Sequence, residues 1–174
     1  MSSETRAAGL YPRVVHEVAF TAVDPSDPEV RIALLRYFSE IAERMAHVVI
    51  VEDDFLVDDF TPPGGVFFLV RSGEAVVGCG AVRNLGNAFG DDGIGELKRM
   101  WIAPDHRGLG LGSRLLRTLE AAARDLGYER LRLDTHAVLV EAIHLYESNG
   151  YRAIPPYNDH PDPTHFFEKS LAIS

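Results

Sequence analysis

The densest chemistry in this 174-residue chain lies in the run Glu96-Leu97-Lys98-Arg99-Met100-Trp101-Ile102-Ala103-Pro104-Asp105-His106-Arg107-Gly108-Leu109-Gly110-Leu111-Gly112-Ser113. Three alternate glycines stand between a stretch that reads as a strand and the start of a long helix. Glycine lets the backbone turn tightly and approach a ligand, and a helix N-terminus presents several unpaired N–H groups. Together they suit a pyrophosphate or another anion, although a tight connection with no ligand would leave the same trace. A dinucleotide fingerprint fits poorly, because counting from Gly108 puts Ser113 where its third glycine belongs. The turn also comes after four strands, whereas that fingerprint normally opens the first strand–helix unit. A Walker-type phosphate loop needs a Gly-Lys-Ser/Thr ending, which the sequence lacks.

Other reactive residue types have quieter readings. Cys79 sits in the small apolar run Val77-Gly78-Cys79-Gly80-Ala81, which suits a packed strand residue better than a nucleophile. As a lone cysteine it has no internal disulfide partner, and a reducing cytoplasm is the expected compartment. His160, Asp162 and His165 lack a recognisable ligand spacing, so no metal is expected. His106 reads as an exposed residue beside the loop. The acidic clusters Glu52-Asp53-Asp54 and Asp58-Asp59 could draw in a cationic amine, but a solvated loop carries the same charges. A formal net charge of −9 argues against nucleic acid and against anionic membranes as partners. The run Val48–Val51 is far too short to span a bilayer, and Met1–Arg6 lacks the features of a secretion signal.

Hydrophobic patterning supplies the elements that must position the glycine turn. The length suits one domain over residues 1–174, with 1–12 as a loose leader. Alternation predicts a first strand over Val14–Ala22, stopped by Asp24-Pro25-Ser26-Asp27-Pro28. Ser26 with Glu29 three residues on, plus Pro28, marks a helix start. Val30, Ala33, Leu34, Tyr37, Phe38, Ile41 and Met45 then fall on one helical face. Glu52–Gly65 reads as a loop. Val66–Arg71 and Ala75–Arg83 form a predicted hairpin around Ser72-Gly73-Glu74. After a glycine- and asparagine-rich connection over Asn84–Gly95 comes a strand, Glu96–Ile102. A strong helix follows from Leu111 to Leu126, stopped by Gly127. Leu131–Thr135 is the next strand, and a third helix carries Ala142, Ile143 and Tyr146 up to Asn149-Gly150. Short strands at Tyr151–Ile154 and His165–Leu171 flank a proline-rich loop. The expected class is α/β (α+β): a mixed, mostly antiparallel central sheet of about six to seven strands flanked by helices.

Arg107-x-x-Gly110-x-Gly112 resembles the R/Q-x-x-G-x-G/A acetyl-CoA loop of the GNAT superfamily of N-acetyltransferases. Leu97–Pro104 is similar to that family's fourth strand, and Leu145-Tyr146-Glu147-Ser148-Asn149-Gly150-Tyr151 to its late helix-to-strand motif. Pro155-Pro156-Tyr157-Asn158-Asp159 with Phe167-Glu168-Lys169 is similar to the tail of many small bacterial members. The likeness follows the element order from roughly Val14 to Leu171. It implies the GNAT fold and acetyl-CoA as co-substrate. It also implies transfer of acetyl to a primary amine of a small molecule or peptide, by direct attack through a tetrahedral intermediate.

Residue roles follow from the same resemblance. An alkylamine with a pKa near about 10 is mostly protonated at neutral pH, so some group must take a proton. The resemblance gives that role to Glu96, for which a solvated strand-end glutamate is the bland reading. His136, where many similar sequences carry glycine, is an alternative base by its residue type alone, and an exposed loop histidine fits it equally. In the family the fourth and fifth strands splay apart. Met100 N–H would then polarise the thioester carbonyl, and the Met100-Trp101-Ile102 backbone would line the pantetheine arm. Arg107, Gly108, Leu109, Gly110, Leu111, Gly112 and Ser113 would hold the pyrophosphate. Tyr146 would protonate the leaving thiolate, although a tyrosine on an apolar helix face is otherwise ordinary core. The acceptor side implied by the family is Met45–Gly65 with Ile154–Thr164, where Tyr157, Asn158 and Asp159 are the candidate contacts; His136, just after the fifth strand, is a further candidate for the acceptor pocket. The rival is a non-catalytic acyl-CoA sensor of the same fold, in which Glu96 and Tyr146 are incidental. Small members often dimerise, so a homodimer is the assembly to test.

Overall fold

Alternating apolar residues and one tight turn build the first half of the sheet. In the computed structural model, which describes residues 17–46, 48–86 and 93–171, β1 (Val18–Val23), β2 (Val66–Ser72) and β3 (Ala75–Asn84) run antiparallel in that order. The leader 1–12, residues 14–16 of the expected first strand and 87–92 of the expected connection lie outside the described residues. The hairpin turn is shorter than predicted: Ser72 pairs with Ala75, leaving only Gly73 and Glu74 between the strands. Next come β4 (Ile94–Ile102), β5 (Arg130–Thr135), β6 (Arg152–Ala153) and β7 (His165–Ser170). The seven described strands form a mixed sheet in the order β1-β2-β3-β4-β5-β7-β6, with β4 and β5 its parallel pair. β5 and β6 both run antiparallel to β7.

α1 (Pro28–Arg44) buries Val30, Ala33, Leu34 and Phe38 against the sheet. Its cap is Asp27, whose side chain accepts from Glu29 N–H at 2.9 Å. Ser26 instead closes the preceding turn, its N–H and hydroxyl both donating to Asp24 Oδ1 at 2.8 and 2.7 Å. Asp27 directly precedes Pro28 and so reaches a free N–H of the first turn, which displaces the expected Ser26 cap. The predicted loop from Glu52 to Gly65 contains two short 3-10 turns, Glu52–Phe55 and Asp58–Phe60. Aromatic contacts anchor it, Phe55 against Phe38 and Phe60 against Phe67, with ring centroids 5.7 and 5.9 Å apart.

The opposite face of the sheet is covered by α2 (Leu111–Asp125), which buries Leu115, Leu116 and Leu119 completely. Close approach is possible because β3 offers Gly80 there, where a Cβ would come within 2.8 Å of Leu119 Cδ1. α3 (Val140–Ser148) leads into the second half of the sheet and carries Tyr146 as its buried residue. Among the described residues no helix is long and apolar enough to cross a membrane.

Candidate active site

Hydrogen bonding between β4 and β5 stops early. Their register covers only Ile94, Gly95 and Glu96 against Arg130, Leu131 and Arg132, so the strands part beyond that point. Ala103 N–H donates to Val77 O on β3 at 2.8 Å. Because successive N–H groups along a strand point to opposite edges, those of Met100 and Ile102 face the side from which β5 has withdrawn. A groove of about 990 Å³ occupies this gap, lined by Met100, Trp101, Ile102, Tyr146 and the loop after β4.

A bulge shapes the groove wall. Cys79 pairs with Trp101 but Ala81 pairs with Lys98, leaving both Arg99 and Met100 opposite Gly80. Arg99 accommodates the extra residue with a left-handed backbone, φ 57°. Lys98 and Arg99, consecutive in sequence, therefore both reach the side covered by α1: Lys98 sits with Glu96, and Arg99 lies over Phe38. Beneath them Cys79 is fully buried and its thiol donates to Arg99 O at 3.2 Å. Burial pushes that thiol up to about 12, so Cys79 is inert packing, as its sequence context suggests.

The glycine turn is open where a ligand would sit. Gly110 caps α2 with φ 73°, no side chain caps the helix, and the first intrahelical bond runs from Arg114 N to Gly110 O at 3.1 Å. The N–H groups of Leu111, Gly112 and Ser113 have no intrahelical acceptor by helix geometry. A Cβ at Gly108 or Gly110 would meet nothing within 4 Å, so the space over the turn is free of protein. That arrangement fits a pyrophosphate. Leu109 is exposed and does not line the groove. Arg107 lines it but is engaged: Nε donates to Ile102 O at 2.9 Å, and Nη2 to both oxygens of Glu40 at 2.8 and 2.7 Å. Trp101 Nε1 also donates to Glu40, at 2.8 Å. Burial alone would raise the Glu40 carboxyl, but Arg107 and Trp101 outweigh it and hold the group below its ordinary value.

Tyr146 stands on the α3 side of the groove, 7% exposed, with its hydroxyl 3.9 Å from Met100 Sδ. Its ring packs edge-on against Tyr151. Burial, reinforced by Tyr37 and Asp134, drives the hydroxyl well above the usual tyrosine range, so it remains a proton donor.

Glu96 lies one layer behind the groove wall, 1% exposed. Arg83 Nε donates to its Oε2 at 2.8 Å, Tyr157 hydroxyl to its Oε1 at 2.8 Å, and Lys98 Nζ lies 3.0 Å from Oε1. Lys98 also bonds Asp134 at 3.0 and 3.2 Å, and Asn158 Nδ2 donates to Asp134 Oδ2 at 2.8 Å. Tyr157 and Asn158, expected at the acceptor, therefore stand behind the wall and brace the two carboxylates. The Tyr157 hydroxyl and Asn158 Nδ2 are engaged in that network, and Asn158 Oδ1 accepts from His160 N–H at 3.1 Å. His136 does line the groove, its Nδ1 accepting from Val138 N–H at 3.2 Å. His160 and Asp162 reach the rim, whereas His165 stacks on Phe167. Among the described residues no group of three or more His, Cys, Asp or Glu side chains could hold a metal ion.

Sequence reasoning passed over Tyr37, Glu40, Arg44, Lys98, Arg99 and Asp134, all of which line the groove. Lys98, Arg99 and Asp134 lay within the quoted strands, but only the bulge and the parting of β4 from β5 turn them inward. Glu40 and Arg44 carry no local signal. Arg44 pairs with Glu141 and donates to Val138 O at 2.7 Å, tying α1 to the segment that enters α3.

Residues 29–151 match the model of the acetyltransferase (GNAT) family. An IAA acetyltransferase of Azospirillum brasilense is 32% identical over 143 residues, which cover 80% of this chain and 91% of that one. An uncharacterized N-acetyltransferase of Schizosaccharomyces pombe is 35% identical over 105 residues, covering 60% of this chain and only 62% of that relative's length. The solved structure of a GNAT family acetyltransferase from Elizabethkingia anophelis, with acetyl-CoA bound, has a TM-score of 0.63 at 15% identity. The match covers 88% of this chain and 97% of that one, a likeness of fold.

Proposed function

The chain belongs to the GNAT family of acetyltransferases, and from that premise we propose that it moves an acetyl group from acetyl-CoA to a primary amine of a small molecule or peptide by direct attack. The observation that carries this reading is the parting of β4 and β5 after Glu96 and Arg132, which frees the N–H groups of Met100 and Ile102 beside an open helix N-terminus.

Bound acetyl-CoA supplies an acetyl group activated as a thioester. The N–H groups of Leu111, Gly112 and Ser113 hold the pyrophosphate, and the Ile102 backbone pairs with the pantetheine arm. Met100 N–H donates to the acyl oxygen as negative charge builds there. Tyr146, kept protonated by burial, donates to the departing sulfur. Glu96 is the final acceptor of the amine's proton and acts at a distance. The proton travels to its carboxylate through water, past Lys98, whose Nζ lies 3.0 Å from Oε1 and which lines the groove. His136, at the groove wall, is the alternative base, and the turnover of Glu96→Gln and His136→Ala with saturating substrates separates the two.

Thermal unfolding with acetyl-CoA, CoA and NADH tests the cofactor. A ligand at 100 times its dissociation constant adds about 2.7 kcal/mol, an upward shift of roughly 5–11 °C for a chain of this size. A shift with the CoA ligands alone, followed by amine-dependent release of CoA, supports the reading. Binding without release for any amine would make the chain an acyl-CoA sensor. No shift with either CoA ligand would overturn the assignment of the loop.

A further inference from the structure

Five lysine and arginine side chains line the groove, and four of them meet carboxylates. Arg44 is paired with Glu141 and Glu40, Arg83 with Glu96 and Asp59, Lys98 with Glu96 and Asp134, and Arg107 with Glu40. Arg99 meets none among the described residues. Its Nε is buried without a hydrogen-bond partner. Its Nη2 makes one long bond, 3.3 Å, to the carbonyl of Asp54, and its guanidinium lies over the Phe38 ring, 4.6 Å from the centroid. The hydroxyl of Tyr37 is a close neighbour.

This is an unusual way to keep a cation. A partly buried charge without a counterion is costly, and so is a left-handed backbone at a residue with a long side chain. Both costs fall on the residue immediately before Met100, inside the same groove. Stacking on Phe38, the Asp54 carbonyl and the Tyr37 hydroxyl fix the plane of the guanidinium while leaving Nε without an acceptor. The surrounding protein carries a formal net charge of −9, so an unpaired guanidinium here runs against the charge of the molecule.

We propose that Arg99 anchors a carboxylate of the acceptor, so that the substrate is an amine of the amino-acid class, carrying its amine and a carboxylate in one small molecule. The guanidinium fork matches a carboxylate in shape and charge. Capture there, against α1 and the turn at Asp54, brings the acceptor's amine toward the acyl position marked by Met100 N–H. The inference rests on the transferase reading above and adds the acceptor's second functional group to it.

The test measures acetyl-CoA-dependent release of CoA with three matched sets of acceptors: α-amino acids with β-alanine and 4-aminobutyrate, the amides of the same amino acids, and the corresponding amines without a carboxyl group. In the native protein kcat/KM for the best acid exceeds that for its amide by roughly tenfold or more, the scale of one charge-assisted pair. In Arg99→Gln this acid-to-amide ratio collapses toward one, and Arg99→Lys restores it in part. Thermal unfolding with acetyl-CoA confirms that each variant is folded and binds its co-substrate. Equal use of acids and amides by the native protein overturns the proposal while leaving the transferase reading intact, and this arm needs no variant. A ratio unchanged in a folded Arg99→Gln also overturns it, because Arg99 would then be a packing residue. Absence of turnover with every acceptor, while acetyl-CoA still binds, overturns both readings together.

Discussion

Tyr146 lines the groove and Glu96 lies one layer behind it, and the two buried residues are built to different ends. Removing the Tyr146 hydroxyl costs the ring nothing in packing, since its contacts with Tyr151 and Phe167 are made by carbon. Tyr146→Phe is therefore expected to fold normally and to bind acetyl-CoA within about twofold of the native protein. Its turnover should drop about a hundredfold, the scale of a positioned general acid. Unchanged turnover at saturating acceptor would remove Tyr146 from the mechanism. Glu96 is different because its charge also holds the sheet together. Glu96→Gln leaves Arg83 and Lys98 facing a neutral amide in a site that is 1% exposed. Breaking such a buried pair costs roughly 3–5 kcal/mol. Here the loss should fall at the lower end, because Arg83 keeps Asp59 and Lys98 keeps Asp134. Urea denaturation reads this directly, and a loss below about 1 kcal/mol would show that the two cations do not depend on Glu96. Its part in proton transfer is then read separately, as a loss of kcat in folded Glu96→Gln that still binds acetyl-CoA.

At the level of elements, the α2 N-terminus can be tested against its own other end. Gly110 and Gly127 flank the same helix with φ 73° and 88°, and a Cβ at either would meet nothing within 4 Å. Alanine at each should therefore cost about the same backbone strain, on the order of 1–2 kcal/mol. Only Gly110 lies where the pyrophosphate is placed, so Gly110→Ala should weaken acetyl-CoA binding by about tenfold or more while Gly127→Ala does not. Equal affinities in the two variants, measured by titration calorimetry, would move the phosphate site elsewhere. This helix also shows what a sequence can reveal. Its apolar spacing, its glycine cap and its C-terminal stop are local patterns, and the hairpin of β2 and β3 is local too. Both were legible, as was the mixed, mostly antiparallel character of the sheet, though not its strand order. The cap of α1 was misread by one residue because Ser26 and Asp27 compete for adjacent donors, which only the path of the chain resolves. The Arg99 bulge was not legible at all, since it depends on how β3 and β4 come into register across Gly80. Tyr157 was expected at the acceptor, and its place beside Glu96 was not legible. Its hydroxyl finds Glu96 across 61 residues of sequence, a distance over which no periodicity speaks.

Across the whole molecule, one carboxylate joins the parts that form the groove. Glu40 on α1 takes bonds from Trp101 on β4 and from Arg107 at the entrance to α2, and lies 3.6 Å from Arg44. Arg44 in turn binds Glu141 and the Val138 carbonyl at the start of α3. The chain of contacts Glu141–Arg44–Glu40–Arg107 thus crosses from one side of the parted strands to the other. Its strength should depend on acid in a defined direction. Burial acts to raise the Glu40 carboxyl, yet the bonds from Arg107 and Trp101 prevail and hold it below the ordinary value of 4.5. A carboxylate depressed in the folded state stabilises that state fully above its unfolded pKa, and the benefit is lost as pH falls through the lower folded value. The unfolding midpoints of the native protein and Glu40→Gln should therefore differ by a constant amount at neutral pH, and the gap should narrow below about pH 4.5. Other carboxylates held low by their partners, such as Asp24 and Glu52, titrate in the same range. Both proteins share them, so they cancel in the difference. Glu141 does not cancel cleanly, because it shares Arg44 with Glu40 and is itself held low by that arginine. Repeating the comparison in a Glu141→Gln background removes this coupling. A gap that stays constant to pH 3 in that background would show that the charge on Glu40 does not hold α1 to the loop.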